Sequence, residues 1–211
     1  MSIIGNPIRI IQRKVPLGYR EVEYIESHGL EYIDTGIALN SIGRGWLKFI
    51  VTTAELGYMR IFGGEESSNT DGFYITPYGG DALPGSFQFV YNRQFDGFTS
   101  SLNTMFEAEF IFSGSTAKYV LNGSEISKSI SGVVTSLSAF LFTFRRANAP
   151  HANKIKARMY EFMLWDFNGD LVQNLIPCYR QSDNEVGMWD LVSNTFLTNS
   201  GTGAFTAGPV V

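Results

Sequence analysis

Phenylalanine alternates with other residues along several short segments of this chain. In MFEAEFIF (105–112), Phe106, Ala108, Phe110 and Phe112 fall on one side of an extended chain, and the remaining residues fall on the other. A period of two is that of a half-buried β-strand, because successive side chains of a strand point to opposite faces. The pattern predicts strands whose phenylalanines face inward, and it favours strands over helices.

Other segments repeat this pattern. GSFQFVYN (85–92) predicts a strand with Phe87, Phe89 and Tyr91 inward, against Gln88 and Val90. AFLFTFRR (139–146) predicts one with Phe140, Phe142 and Phe144 inward. KIKARMYEFMLWDF (154–167) is apolar on both faces near its middle, which is typical of a central strand covered on two sides. Further strands are predicted at 46–53, 58–63, 72–76, 117–121, 186–192 and 195–198.

Turn signals separate these segments. Asn122-Gly123, Asn168-Gly169 and Ser193-Asn194 each lie between strand-like runs. Asn-Gly is the strongest local hairpin signal, since a type I′ turn needs positive φ at both central residues. Many short strands joined in this way predict an antiparallel sandwich or barrel. A chain of 211 residues fits one such domain, at 17–211, preceded by an N-terminal arm at 1–16.

The composition excludes several classes of protein. A net charge of -4 and the lack of a basic field disfavour a nucleic-acid binder. No apolar run approaches a membrane span, and Pro7 and Arg9 interrupt the first apolar run, so we expect no signal peptide. The single cysteine, Cys178, excludes an internal disulfide and predicts a buried small apolar residue. His28 and His151 are the only histidines, so a Cys-His pair would need distant loops.

The first fourteen residues differ from the rest because they are basic and rich in isoleucine. Ile8 and Ile10 alternate with Arg9, and Arg13 follows. Such an arm is suited to adding a strand to a neighbour's open sheet edge or to attaching the domain to a larger assembly. The alternative is a terminus that frays or docks on its own domain.

Three longer motifs carry a resemblance. In chain order, LGYREVEYIESHGLEYIDTG (17–36), KARMYEFMLWDFNGDLVQNLIPCYR (156–180) and EVGMWDLVSNTFLTNSGTGAFTAG (185–208) resemble the concanavalin-A-like or laminin-G-like jelly-roll domains common in phage structural proteins and gut-bacterial surface proteins. The resemblance implies an all-β, antiparallel two-sheet jelly-roll sandwich. It also implies that YIES-to-YIDTG forms the first strand pair, with Asp34-Thr35-Gly36 turning the chain, and that GTGAFTAG is a last strand beside the first.

Sugar binding is the function that this resemblance implies. Aromatic faces stack on the C–H surfaces of sugars, while amides, carboxylates and guanidinium groups bind pairs of hydroxyls. The middle of the chain, where the resemblance is weakest, carries such residues in or beside predicted loops, where binding residues concentrate. The predicted carbohydrate-binding residues are Asn69, Asp71, Tyr74, Tyr78, Asp81 and Arg93. Trp46, Trp165 and Trp189 are predicted to pack in the core or on a sheet face.

The sequence gives little support for catalysis. Glycan hydrolases that share this jelly roll resemble one another through a Glu-x-Asp-x-Glu strand, which this chain lacks. Glu107 and Glu109 share a strand face, but two such acids without a third are typical of a solvated surface. We therefore predict no catalytic residues, with a glycan hydrolase as the more distant alternative.

The resemblance also implies a candidate calcium site, because laminin-G-like domains often bind calcium at the rim of the sandwich. Glu65 and Glu66 precede SSNTDG (67–72), and SDNE (182–185) is a second oxygen-rich stretch. Neither has EF-hand spacing, and turn chemistry explains both. No cofactor is predicted, and a bound calcium ion is left open.

A small basic cluster is formed by Arg145, Arg146 and HANKIKAR (151–158). It either contacts an acidic glycan or an acidic partner protein, or it is a solvated hairpin loop.

These observations predict a non-catalytic, virion-associated module that binds glycans and is attached to a phage particle by its arm. The lack of an export signal favours a virion, because virion parts assemble in the host cytoplasm. The predicted partners are other virion proteins and a host or mucosal glycan, without nucleic acid or membrane, and a homo-oligomer is left open. The alternative is a purely structural capsid or tail decoration protein that binds no sugar.

Overall fold

A computed structural model of the protein describes residues 15–53, 59–67, 71–78, 85–92, 94–132, 134–147, 149–150 and 155–211. Within these ranges the strands form two sheets, of eleven and eight strands. Among the described residues the one helical element is a 3-10 turn, η1 (Leu39–Ser41). In the same part of the chain, no helix is long and apolar enough to cross a membrane. The predicted arm residues Ile8, Arg9, Ile10 and Arg13 lie outside the described residues.

The larger sheet is antiparallel throughout. Its main path runs in the order β11 (Ser124–Ser129), β10 (Thr116–Leu121), β9 (Met105–Ser113), β4 (Ile42–Thr53), β15 (Lys156–Asp166), β16 (Leu171–Arg180), β17 (Val186–Asp190) and β18 (Thr195–Thr198). Three short strands extend it: β1 (Tyr19–Glu21) beside β16, β2 (Ile25–His28) beside β15, and β19 (Thr206–Ala207) beside β2.

The smaller sheet covers the inner face of the larger one. Its path runs β14 (Ala149–Pro150), β13 (Arg145–Arg146), β5 (Phe62–Glu65), β6 (Phe73–Thr76), β7 (Ser86–Tyr91) and β8 (Gln94–Thr99). β12 (Ser138–Leu141) lies between β3 (Ile33–Ala38) and β5. Only the β13–β5 pair is parallel within the described strands. The predicted antiparallel sandwich is confirmed.

Alternating phenylalanines build the core between the sheets. In β9, Phe106 and Phe110 are buried while Glu107 is exposed. The ring of Phe110 lies 4.6 Å from that of Phe73 and 5.7 Å from that of Phe62, centroid to centroid, so it joins the two sheets directly. Burying each such side chain stabilises the fold by about 2 to 3 kcal/mol. The inward phenylalanines predicted from the period of two are confirmed for β9.

The Asn-Gly and Ser-Asn signals mark hairpins. Asn122 and Gly123 have φ of 48° and 82° between β10 and β11, which is the conformation that a type I′ turn requires. Asn194, with φ of 56°, lies in the β17–β18 hairpin. At the β15–β16 hairpin, by contrast, Gly169 has positive φ and Asn168 does not. That connection is a wider turn than the predicted one.

The strand predicted at 139–146 is interrupted. Phe142 has φ of 63°, which ends β12 at Leu141 and prevents one continuous strand. Phe142 therefore packs in the central core, whereas Phe140 stacks on Tyr32 and Phe144 packs with Tyr74 on the far side of the smaller sheet. The prediction that Phe140, Phe142 and Phe144 share one inward face is wrong.

β15 is central, as predicted, since it pairs with β4 on one side and with β16 and β2 on the other. Its inward side chains, such as Phe162 and Leu164, are buried, but Met163 and Trp165 on the other face are only half-buried. The guanidinium of Arg44 lies 4.4 Å above the Trp165 ring, so a charged neighbour shields this face instead of another layer. The prediction that two layers cover β15 is wrong.

The YIES-to-YIDTG span behaves differently from the expected strand pair. β2 belongs to the larger sheet and β3 to the smaller one, so the two strands do not pair with each other. Asp34-Thr35-Gly36 lies inside β3, where the Thr35 hydroxyl donates to the Ala139 carbonyl oxygen at 2.7 Å. The chain instead crosses between the sheets through residues 29–32. The last strand, β19, does lie beside β2, as predicted.

Candidate functional site

The predicted carbohydrate-binding residues do not form one site among the residues that the structure describes. Asn69, Asp81 and Arg93 lie outside the described residues. Asp71 precedes β6 and is exposed, whereas Tyr78 follows β6, is half-buried and packs against the core. Asp71 and Tyr78 therefore lie at opposite ends of the sandwich.

Tyr74 lies within β6, on the face of the smaller sheet that points away from the core. Its side chain is only 5% exposed and packs against Phe144, with 5.3 Å between ring centroids. The guanidinium of Arg60 lies 4.5 Å from the Tyr74 ring centroid. A ring covered in this way is placed for packing, and its contact with a sugar stays a prediction.

A hollow opens between the two sheets at the end of the sandwich where Asp71 lies. Its volume is about 260 Å³, and Tyr91, Phe112 and Phe167 line it together with Leu39, Ile42, Ile130 and Val134. Its other lining residues are Asn40, Gly114 and Gly132. Concave apolar surfaces with aromatic walls and few polar groups are typical of small-molecule sites.

Phe167 is the wall of this hollow that reaches solvent. It is 60% exposed, while the other phenylalanine side chains that the structure describes are buried or half-buried. The β15–β16 turn holds it in place, because the Asp166 carboxylate accepts the backbone N–H groups of Asn168 at 2.8 Å and Asp170 at 3.0 Å. These hydrogen bonds, with that from Asp170 the largest contribution, lower the pKa of Asp166. An ordered turn therefore presents an exposed aromatic ring.

A second hollow lies on the other side of Phe167. It has a volume of about 230 Å³ and shares Phe112 and Phe167 with the first. Arg44 and Trp165 line it, with the guanidinium stacked over the indole ring. Both Nε and an NH₂ group of Arg44 lie 2.6 Å from Glu109 Oε1. We call the two hollows and the Phe167 ring between them the rim cleft.

Hydrogen bonds connect the rim cleft to the Asp71 loop. The side chain of Asn92 accepts the Gly72 N–H at 2.8 Å and donates to the Ser131 carbonyl at 3.1 Å. The Thr135 N–H donates to the Asp71 carbonyl at 2.8 Å. Of the predicted residues that the structure describes, Asp71 is thus the one beside the cleft.

Tyr91 supplies a hydroxyl at the cleft. It donates to the Gly132 carbonyl at 3.4 Å, a long hydrogen bond that leaves the group able to accept from a ligand. Burial raises the pKa of Tyr91, so the phenol stays protonated at neutral pH. The cleft can therefore offer a hydroxyl as well as aromatic faces.

The carboxylates predicted to be solvated are paired across strands. Glu107 lies 3.0 Å from Lys48 Nζ, and Glu109 binds Arg44. In the candidate calcium stretches, Glu65 binds Arg146, Glu66 accepts from the Thr135 hydroxyl, and Asp183 binds Arg180. The described residues contain no group of three or more His, Cys, Asp or Glu side chains that could hold a metal ion.

The other candidates that the structure describes are bound or buried within the protein. Cys178 is buried, and desolvation raises its pKa to about 12, so it is not a thiolate nucleophile. In the basic cluster, Arg145 donates to Ser138, Arg146 binds Glu65 and Arg158 binds Glu26. Residues 151–154 of this cluster lie outside the described residues, so its contact with an acidic partner stays a prediction.

The tryptophans lie on sheet faces, as predicted. Trp46 and Trp165 lie half-buried on the outer face of the larger sheet, and Trp189 packs on Tyr19 at 4.8 Å between centroids. Only Trp165 among them lines the cleft.

The sequence did not predict Phe112, Tyr91 and Phe167 as cleft residues. The one available signal was Phe167, an aromatic residue directly before Asn168-Gly169, where a polar residue is usual.

The two-sheet architecture is a concanavalin-A-like jelly roll, and solved structures share it. One is a candidate carbohydrate-binding protein from Bacteroides ovatus, with a TM-score of 0.57 at 10% identity over 89% of this chain and 60% of that one. Another is the heptameric SAP-like pentraxin from Limulus polyphemus, with a TM-score of 0.52 at 9% identity over 92% of this chain and 98% of that one. At these identities the likeness establishes the fold alone.

No protein-family model matches this sequence. No curated protein is similar to it in sequence either. This chain corresponds to 60% of the Bacteroides protein, so it spans less than two thirds of that protein's length.

Proposed function

We propose that this chain is a non-catalytic carbohydrate-binding module that takes a sugar into the rim cleft. The observation that carries the proposal is Phe167, an exposed ring fixed by a hydrogen-bonded turn between two hollows. A flat ring of this kind fits the C–H face of a sugar, and its exposure leaves that face open to a ligand. The Tyr91 hydroxyl and the backbone of Gly132 are the polar groups that would fix orientation.

The fold is consistent with this proposal. The Bacteroides protein that shares the jelly roll is itself a candidate for carbohydrate binding. Because one fold hosts many functions, this likeness supports the proposal but is not sufficient for it. The proposal depends on the rim cleft of this chain.

The absence of catalysis is part of the proposal. Glu107 and Glu109 are each bound in an ion pair with a cation of β4. A retaining glycosidase instead needs two carboxyl groups that face the scissile bond of the sugar. A glycan hydrolase remains the alternative, and it predicts turnover that disappears in Glu107→Gln or Glu109→Gln. We expect no turnover in the wild type.

The finer proposal is that the module belongs to a phage particle, to which residues 1–16 attach it. Its support is the Ile-Arg-Ile alternation at residues 8–10. Deleting residues 1–14 should release the domain from particles while glycan binding is kept. Particle retention without any glycan signal would favour the structural decoration protein instead, and unchanged retention after the deletion would contradict attachment by the arm.

A glycan array followed by calorimetry tests the main proposal. We expect wild-type protein to bind at least one glycan and Phe167→Ala to lose about tenfold in affinity, or about 1.4 kcal/mol. The matched control is Leu30→Ala, since Leu30 is 52% exposed and lies at the opposite end of the sandwich. Equal loss in the two variants, or no glycan bound by wild type, would overturn the proposal.

A further inference from the structure

The rim cleft continues onto the outer face of the larger sheet. A third hollow, of about 470 Å³, is lined by Ile111, Ser113, Thr116, Ala117, Lys118 and Ser127. Ile111 also lines the hollow that holds Arg44 and Trp165. The three hollows therefore form one track, from the opening between the sheets, past Phe167, to β10 and β11.

The track is longer than a single sugar. It crosses the neighbouring strands β4, β9, β10 and β11, which are paired in that order. Adjacent strands lie about 4.8 Å apart, so the distance from β4 to β11 is about 14 Å. One sugar ring would fill only one of the three hollows.

The two cations that line the track are already paired within the protein. Arg44 is bound to Glu109 at 2.6 Å, and Lys118 to Glu125 at 2.9 Å. The hollow between the sheets has no charged side chain among its described lining residues. An anionic glycan would have to compete with Glu109 or Glu125 for a cation, whereas an uncharged glycan would leave both pairs intact.

We propose that the rim cleft and the outer hollow together bind an uncharged oligosaccharide of three or more units, lying across β4, β9, β10 and β11. This inference rests on the proposed carbohydrate-binding function. The sugar ring that stacks on Phe167 makes the contact that every ligand shares, and the units over Thr116 and Lys118 add contacts that only a longer chain reaches.

Calorimetry with length series tests the inference. The probes are glucose oligomers and N-acetylglucosamine oligomers of one to six units, with galacturonic acid oligomers as the anionic comparison. We expect affinity for an uncharged series to rise at least about tenfold from one unit to three and then level off. The galacturonic acid series should bind more weakly at every length.

Two matched variants locate the effect. Thr116→Ala, in the hollow that lies outside the rim cleft, should lower affinity for the trimer about fivefold and leave affinity for the single unit unchanged. Thr104→Ala is the control, because Thr104 is also exposed and its hydroxyl also donates to a backbone carbonyl, but it directly precedes β9 at the end away from Phe112. Equal affinity at all lengths, or preference for the anionic series, would overturn this inference and leave the proposed function intact. Failure of wild type to bind any of these probes and any glycan of the array would overturn both.

Discussion

The two ends of the sandwich differ in the surface that they leave exposed. At the end where β2 crosses to β3, the buried Glu31 carboxylate accepts the Ser27 hydroxyl and the N–H groups of His28 and Leu30, at 3.1, 2.7 and 3.2 Å. Asn199 accepts the Tyr32 N–H there at 3.1 Å. The rim end instead exposes Phe167 beside an apolar hollow. One end is closed on itself, and the other has surface left for a ligand.

This difference explains why the SHGLEYIDTG motif is structural. Its polar side chains form hydrogen bonds with the backbone of their own loop. The Ser27 hydroxyl, for example, also accepts the Gly29 N–H at 3.1 Å. A side chain already bound to its own loop must lose those hydrogen bonds before it can bind a sugar. Ligand binding is therefore expected where aromatic and backbone groups remain accessible, which is the rim end.

Removal of Glu31 should have the largest effect. Glu31→Ala leaves three donors without their acceptor in a buried loop, and we expect a loss of about 3 kcal/mol in the free energy of unfolding. Urea denaturation measures it, with the exposed Glu23→Ala as control. Glycan affinity of the folded variant should match wild type. A variant of normal stability that has lost glycan binding would reverse the roles of the two ends.

Phe112→Ala should affect both stability and binding. Phe112 is half-buried and packs edge-on against Phe73 and Tyr91, with centroids 5.0 and 5.3 Å away. We expect about 2 kcal/mol of destabilisation, below the usual cost for a fully buried ring. Affinity should fall together with stability, because the ring is also the floor of the cleft. Phe112→Leu should recover most of the stability but little of the binding, and full recovery of binding would argue against stacking.

Arg44→Ala should have a smaller effect. Arg44 is nearly half exposed, so its ion pair with Glu109 and its stacking on Trp165 are screened by solvent. We expect a loss of under about 1 kcal/mol in unfolding free energy. Lys48→Ala, which removes the neighbouring pair with Glu107, is the matched control. A loss of several kcal/mol would mean that this wall of the cleft is part of the core.

Asp166→Asn should have the smallest effect, and that effect should depend on pH. The folded-state pKa of Asp166 is lowered, so its charged form stabilises the fold at pH above the unfolded value of about 3.9. That contribution is lost as pH falls through the lower folded value. The stability gap between wild type and variant should be present at pH 6 and vanish near pH 2 in urea titrations. A gap that persists in acid would show that the charge is not its cause.

The larger sheet could be predicted from sequence because its signals are local. The alternation in β9 and the Asn122-Gly123 turn each depend on a few adjacent residues. β11 could not be predicted, since SEISKS has no apolar alternation and is a strand through its pairing with β10. In the smaller sheet, the strand predicted at 58–63 is found at Phe62–Glu65.

In the smaller sheet, the strands predicted at 72–76 and 85–92 are found as Phe73–Thr76 and Ser86–Tyr91, but their burial could not be predicted because both faces of the sheet are covered. In β7, Gln88 and Val90 are buried as fully as the inward Phe87 and Phe89, so alternation in the sequence does not correspond to alternation in exposure. Phe142 took a positive φ that sequence reasoning assigns to glycine or asparagine. Tertiary packing decided both cases.

The candidate site was the hardest to predict. Its walls come from segments far apart in the chain, among them Leu39, Tyr91, Phe112, Val134 and Phe167. Which hairpins meet at one rim is set by the order of strands in the sheets, and a single sequence does not contain that order explicitly. The predicted residue Asp71 lies in a loop beside the rim cleft, but the prediction did not include the aromatic residues that line the cleft.

Backbone-amide NMR of isotope-labelled protein, titrated with the tightest uncharged glycan, shows which end of the sandwich holds the ligand. We expect shifts that grow with ligand concentration at Phe112, Phe167 and Gly132, and unchanged signals at Glu31 and Asn199. Shifts confined to the β2–β3 crossing, or to Tyr78 at the other end of β6, would rule out the rim cleft as the binding site.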